Sequence, residues 1–246
     1  MQWWTLFLGG LLMTVSAWAD QASELASIHV EVIGGRERIA ALKSLRATGF
    51  VYAGGKKVRF AQITARPDRV RQEIGTPERS LVQGSDGRTP PWKYDTSALP
   101  LRPVDMPPAE AKLFLADVEF DDPLVAGPAA GYALDFAGEF NVKGRKFVRL
   151  LVTRKLADTF AVVLDAETFF IVARIDQRTT AGGRKIEVTT RFDDFRPVDG
   201  VLLPHRISVQ SDGRVTQEIV IEAIEANPPV TPEMFTRPLV ALPGKK

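Results

Sequence analysis

"RKIEVTTRFDDFRPVDGVLLPHRISVQSDGRVTQEIVIEAI", residues 184–224, alternates apolar and polar residues around two Asp-Gly pairs, and the fold class follows from it. In its first segment Ile186, Val188, Thr190 and Phe192 alternate with Lys185, Glu187, Thr189 and Arg191. In its last, Ile219 and Ile221 oppose Glu218 and Glu222. Successive side chains on a strand point to opposite faces, so this alternation marks half-buried strands. Asp199-Gly200 and Asp212-Gly213 separate the segments. Asp-Gly suits the tightest hairpin turn, in which both central residues take positive φ. Strands joined so closely must be antiparallel, because a parallel crossover takes a dozen or more residues.

The same pattern recurs earlier in the chain. In "KVRFAQITA", residues 57–65, Val58 and Phe60 share one face and Arg59 takes the other. Gly54-Gly55, Asp86-Gly87 and Gly182-Gly183 supply further turns. From Leu45 onward the period is that of strands, about eleven of them, with one interruption. An open sheet of about this size curls or splits. With one apolar and one charged face, it curls around a hollow. The expected fold is therefore mainly β, an open antiparallel half-barrel with a helical lid.

Helices are the available covers. Leu25, Ile28 and Val32 lie at helical spacing before the stop at Gly34-Gly35. A short second helix around Arg36 to Lys43 places Ile39 and Leu42 on one side. The interruption is "VDMPPAEAKLFLADVEFDDP", residues 104–123. Asp105 is expected to cap a helix opening with Pro107 and Pro108, since prolines suit a first turn. Ala111, Phe114, Leu115 and Val118 would form its apolar stripe, facing the sheet.

Residues 1–19, "MQWWTLFLGGLLMTVSAWA", carry no charged side chain and end in small-x-small. They read as a secretory signal peptide cleaved after Ala19, leaving 20–246 as one domain exported to the periplasm. The chain has no cysteine, which excludes disulfides and thiolate chemistry. Its 32 basic and 30 acidic residues are well mixed, so nothing points to nucleic acid.

Catalytic constellations are missing from the sequence. The two histidines, His29 and His205, show no metal-binding spacing. Ser85 precedes Asp86-Gly87, a turn signal, and no nucleophile elbow surrounds it. Asp121-Asp122 and Asp193-Asp194 are adjacent pairs, which on a strand diverge rather than converge. Arg66, Arg69 and Arg71 form either a positive stripe for phosphates or carboxylates or a solvated strand face. No enzyme, cofactor or metal is expected.

"ARPDRVRQE" (65–73) followed by "SLVQGSDGRTPPWKYD" (80–95) resembles the periplasmic lipoprotein carrier, LolA-like, superfamily. "FDDFRPVDGVLLPHRI" (192–207), "NPPVTPEMF" (227–235) and "VIGGRERIAALKSLRATG" (32–49) are similar to the matching parts of related outer-membrane lipoprotein-sorting proteins. The likeness spans nearly all of 22–238. It implies an incomplete barrel whose concave face takes the acyl chains of lipoproteins or other lipids, passing them from an inner-membrane donor to an outer-membrane acceptor. It also implies an alternative, a lipid-sensing regulator that binds a membrane-bound anti-sigma-type partner. The expected cavity and lid residues are Phe50, Phe60, Val70, Trp92, Phe114, Leu115, Val118 and Phe147, in a monomer. On this reading Asp86-Gly87 is a hairpin corner, with Trp92 and Tyr94 on the strand that follows.

Overall fold

The computed structural model describes residues 13–99, 101–154, 158–180 and 182–238. Residues 1–12, most of the expected signal peptide, lie outside the described residues. Two helices open the fold, α1 (Met13–Val32) and α2 (Arg36–Ala41). Six strands follow: β1 (Ser44–Ala53), β2 (Lys56–Ala65), β3 (Arg69–Gly75), β4 (Ser80–Ser85), β5 (Trp92–Asp95) and β6 (Val104–Asp105). Helices α3 (Pro108–Asp117) and α4 (Pro123–Ala126) interrupt them. Seven strands complete the sheet: β7 (Tyr132–Val142), β8 (Arg145–Arg154), β9 (Thr159–Asp165), β10 (Ile171–Thr179), β11 (Lys185–Val198), β12 (Val201–Ser211) and β13 (Arg214–Ala226).

All thirteen strands join one open antiparallel sheet in the order β6-β5-β4-β3-β2-β1-β13-β12-β11-β10-β9-β8-β7. Periodicity predicts about eleven; β6 has only two residues and offers no alternation to read. The chain begins at the centre, where β1 pairs with β13, and steps outward to the β6 edge. It then crosses through α3 and α4 to the opposite edge, β7, and returns hairpin by hairpin. This topology lays the α3–α4 segment, here called the strap, over the sheet from edge to edge. The hairpin corners have the expected geometry: φ is 50° at Asp199 and 80° at Gly200, and 47° at Asp212 and 77° at Gly213.

Register gathers one set of apolar residues from the central strands on the inner face. Phe60 opposes Ile74, Val51 opposes Ile219, and Ile207 opposes Ile219 from the other side. Val51, Phe60 and Ile221 form the buried centre of this region. At the β7 end, Leu150, Val152, Val162 and Leu164 are buried against Ala22 and Ala26 of α1 and Leu124 of α4. Val30, Ile33, Ile39, Leu42 and Val201 join α1 and α2 to the start of β12. The fourth cluster, Val70, Met106 and Phe114, sits under α3.

Two helix expectations need correction. The buried face of α1 is Ala22, Ala26, His29 and Val30, continued by Ile33, while Val32 is 38% exposed. Alanine adds little to a hydrophobic stripe, yet its small side chain lets the helix approach the sheet closely. Asp105 does not cap α3: the residue before the helix is Pro107, with no side-chain cap. Asp105 is instead in β6 opposite Trp92, and its carboxylate pairs with Arg237. Strand pairing, extended by the hydrogen bond from Met106 N–H to the Pro91 carbonyl (2.8 Å), fixes its backbone too early for a capping role.

Candidate functional site

The strap is fastened to both walls of the curved sheet by ionic side chains. On the β2–β3 side the Arg66 guanidinium donates to both carboxylate oxygens of Asp121. It also donates to the carbonyls of Leu42 (2.8 Å) and Ile39 (3.2 Å). Its plane lies over the Phe120 ring, 4.4 Å from the centroid. At the start of α3, Lys93 on β5 binds both oxygens of Glu110 at 2.6 and 2.8 Å.

The opposite wall contributes three more arginines. Arg154 donates to Glu119 (2.9 Å), which also accepts the Tyr132 hydroxyl (2.8 Å). Arg174 donates to the Ala116 carbonyl at the end of α3 (2.8 Å). Arg178 forks onto Asp117 at 2.6 and 3.1 Å. Burial pushes the Tyr132 phenol up, Arg154 draws it down, and Glu119 adds to the rise, which prevails.

His29 anchors the strap to α1. One ring nitrogen lies 2.7 Å from the Phe169 carbonyl and the other 3.2 Å from an Asp122 oxygen. Burial lowers the affinity of this imidazole for its second proton. The hydrogen bond and charge of Asp122, with the Phe169 carbonyl, outweigh that loss, so the pKa is raised. The other Asp122 oxygen caps α4 by accepting the N–H groups of Leu124 and Val125. His205 is buried in β12, with Nδ1 3.0 Å from the Leu203 carbonyl. Among the described residues no group of three His, Asp or Glu side chains is placed to hold a metal.

Apolar attachment of α3 is slight by comparison, since Phe114 is its one buried residue. Beneath the strap lie two hollows. The first, about 340 Å³, is bounded by Pro67 to Val70, Leu115, Val118 and Tyr132. The second, about 240 Å³, has an apolar floor of Ile33, Val162, Ile171, Phe192, Phe195, Leu202 and Leu203, with Arg174 and His29 at its margin. Glu119, Phe120 and Asp121 border both. The strap thus partitions one concave space, with the Phe120 ring in the dividing wall. Each compartment lies at or below the small end of the roughly 300–1,000 Å³ typical of ligand sites.

The expected cavity residues divide between the two faces. Val70, Leu115 and Val118 line the first hollow. Phe114 packs beside it on Val70, and Phe60 is in the central inner cluster. Phe50, Trp92 and Phe147 are on the outer face. Phe50 opposes Arg59 and stacks under Lys57, 3.8 Å from its centroid. Phe147 stacks on Phe140 at 5.6 Å. Trp92 opposes Gly84, where an added Cβ would lie 2.6 Å from the indole. Its Nε1–H donates to the Phe235 carbonyl (3.1 Å), so the C-terminal segment covers it from outside. Arg69 and Arg71 lie over the rings of Phe235 and Trp92, whereas Arg66 fastens the strap.

The stretch around Ser85 is a corner. Ser85 Oγ accepts the Gly87 N–H, and Asp86 accepts those of Arg88 and Thr89. Sequence reading missed Phe120 and the arginines of the far wall. Arg174, Asp176 and Arg178 alternate with Ile175 and Gln177, so periodicity assigns the charges to solvent. A register shift between Ile171 and Ala173 reverses that assignment and turns Ile171 and Arg174 to the same side.

This architecture is LolA-like. The chain is similar to a LolA superfamily protein from Nitrosomonas europaea, at 13% identity and TM-score 0.55, over 87% of this chain and 97% of that one. It is similar to a putative outer membrane lipoprotein-sorting protein domain from Vibrio parahaemolyticus, at 13% identity and TM-score 0.55, over 88% and 97%. A DUF1329 family protein from Desulfovibrio piger matches at 12% identity and TM-score 0.58, over 89% and 97%. At such identities the likeness establishes the fold alone. No protein-family model and no curated protein sequence matches the chain.

Proposed function

We propose that this chain is a non-catalytic periplasmic carrier, which shelters the acyl chains of lipoproteins or other lipids on its way toward the outer membrane. The observation that carries this reading is the strap. Its α3 arm covers the apolar concave face with ion pairs, the small Phe114 cluster and one aromatic partition, while α4 stays seated in the main core through Leu124. Ion pairs at a partly wet surface exchange for water at little net cost, typically about 0–1 kcal/mol each. A strap so held can open without unfolding the sheet. Once Phe120 lifts, the two small hollows become one space of ligand size. Burying acyl chain gains about 0.8 kcal/mol per CH₂, against roughly 4–15 kcal/mol for association. A single chain is then held modestly and two or three firmly, which suits a protein that must release its load.

On this reading the exported form is residues 20–246, acting as a monomer between an inner-membrane donor and an outer-membrane acceptor. Native mass spectrometry of protein purified from its own envelope, before and after delipidation, tests the proposal. Bound masses of lipid or lipidated peptide are expected. Protein recovered free of lipid, and unable to take up any acyl chain after strap opening, would refute it. Recovery of one membrane-bound regulator in place of varied lipids would replace it with the lipid-sensing alternative.

A further inference from the structure

We propose that Arg154, Arg174 and Arg178 form a headgroup site for an anionic amphiphile, occupied in the closed form by the strap's own carboxylates. The inference rests on the carrier reading and adds to it the charge of the cargo. Three arginines on the inner face of a sheet are out of place unless something anionic meets them. Arg154 and Arg174 both stack on Phe160, with guanidinium carbons 5.0 and 4.5 Å from its centroid. Their flat groups are thereby fixed in orientation at the edge of the apolar floor.

Most of their partners belong to the strap. Glu119 meets Arg154, Asp117 meets Arg178, and the Ala116 carbonyl meets Arg174. From the sheet come one carboxylate, Asp176, 2.8 Å from Arg174, and the Tyr132 hydroxyl of β7 beside Arg154. When the strap lifts, three cations therefore face one carboxylate at the edge of the apolar floor. That excess of positive charge favours an anion entering as Asp117 and Glu119 leave. Strap opening and anion binding are in this way coupled.

Even the closed form leaves this cluster under-satisfied. Among the described residues the Nε–H groups of Arg154, Arg174 and Arg178 are buried without a hydrogen-bond partner, as is Asp176 Oδ2, 4.0 Å from the Arg178 guanidinium. A carboxylate or phosphate presents several acceptor oxygens, and arginine forks match both geometries. Arg174 also borders the 240 Å³ hollow floored by Val162, Ile171 and Phe192. Head and chain sites are contiguous, as an amphiphile requires. A free phosphate ion would use only the first of them.

The test uses the full exported chain and displacement of the neutral apolar fluorophore N-phenyl-1-naphthylamine. The probes are palmitate, hexadecyl phosphate, the uncharged monopalmitoylglycerol, and inorganic phosphate. Both anionic amphiphiles are expected to bind at least tenfold tighter than the neutral one, with inorganic phosphate displacing nothing. Arg174→Gln with Arg178→Gln should bring the anionic and neutral probes within about twofold, leaving neutral binding intact. Asp117→Asn with Glu119→Gln should tighten the anionic probes severalfold, and it decides the matter if the arginine variant does not fold. Equal binding of charged and neutral probes by the native protein overturns this inference while the carrier reading stands. Failure of every amphiphile to bind overturns both. Displacement by inorganic phosphate alone would make the site one for free anions and overturn the amphiphile.

Discussion

Replacing Phe114 by alanine separates a lid from a core. Phe114 is 8% exposed and packs with only two other buried residues, Val70 and Met106, flanked by Ala111 and Val118. In a filled interior Phe→Ala costs about 3–5 kcal/mol, the lost transfer energy plus a cavity term. Here the transfer loss remains, about 2 kcal/mol for a nearly buried ring. The cavity term shrinks, because Val70 and Val118 already border the first hollow and the new space merges with it. The expected cost is therefore about 2 kcal/mol. Leu150, 0% exposed in the main cluster, provides the reference at about 3–4 kcal/mol for Leu150→Ala. Leu115 is 39% exposed, so adding Leu115→Ala should cost no more than about 0.5 kcal/mol. Urea unfolding followed by circular dichroism reads these differences, and the lid variants should keep one cooperative transition with an unchanged slope. Retention of a bound acyl chain by the Phe114→Ala, Leu115→Ala protein should fall at least tenfold, about 1.4 kcal/mol. A loss of stability equal to that of Leu150→Ala would make α3 ordinary core. Full stability with undiminished lipid retention would place the cargo away from the strap.

Protonated His29 donates to two acceptors, and its pKa is raised from the ordinary 6.5. Its stabilising contribution is therefore complete below that ordinary value and is lost as pH rises through the folded value. Urea midpoints measured on either side of neutral pH should decline toward alkali in the native protein, a decline that His29→Gln removes; an identical profile in the variant would discard the anchor. Export should yield a chain beginning at Asp20, and intact mass of the periplasmic protein checks it. Three of the four tryptophans, Trp3, Trp4 and Trp18, then depart with the leader. The remaining Trp92 is buried on the outer face under Phe235, so its emission should not change when lipid fills the hollow. A marked shift on lipid addition would contradict that placement. Gly84→Ala should destabilise by overpacking the indole, typically about 1–3 kcal/mol, and should move the same emission band.

Local physics makes the strands legible in the amino-acid order alone. Alternation at Ile186 to Phe192 and at Val58 and Phe60, with positive-φ turns at Asp199-Gly200 and Asp212-Gly213, involves neighbours a few residues apart. Those neighbours settle antiparallel pairing and the existence of an apolar face by themselves. Three things depend on distant partners and are decided only in three dimensions. Which face Phe50, Trp92 and Phe147 occupy follows from register against other strands. The inward turn of Arg174 follows from the irregularity in β10, which shifts side-chain parity while leaving the residue types unchanged. The close docking of α1 uses alanines whose small size matters only once the sheet is beneath them. The strap is the extreme case: Arg66 meets Asp121 55 positions on, and Arg174 meets Ala116 across 58. Periodicity reports the environment a side chain prefers, whereas the hollow is made by which distant segments meet across it.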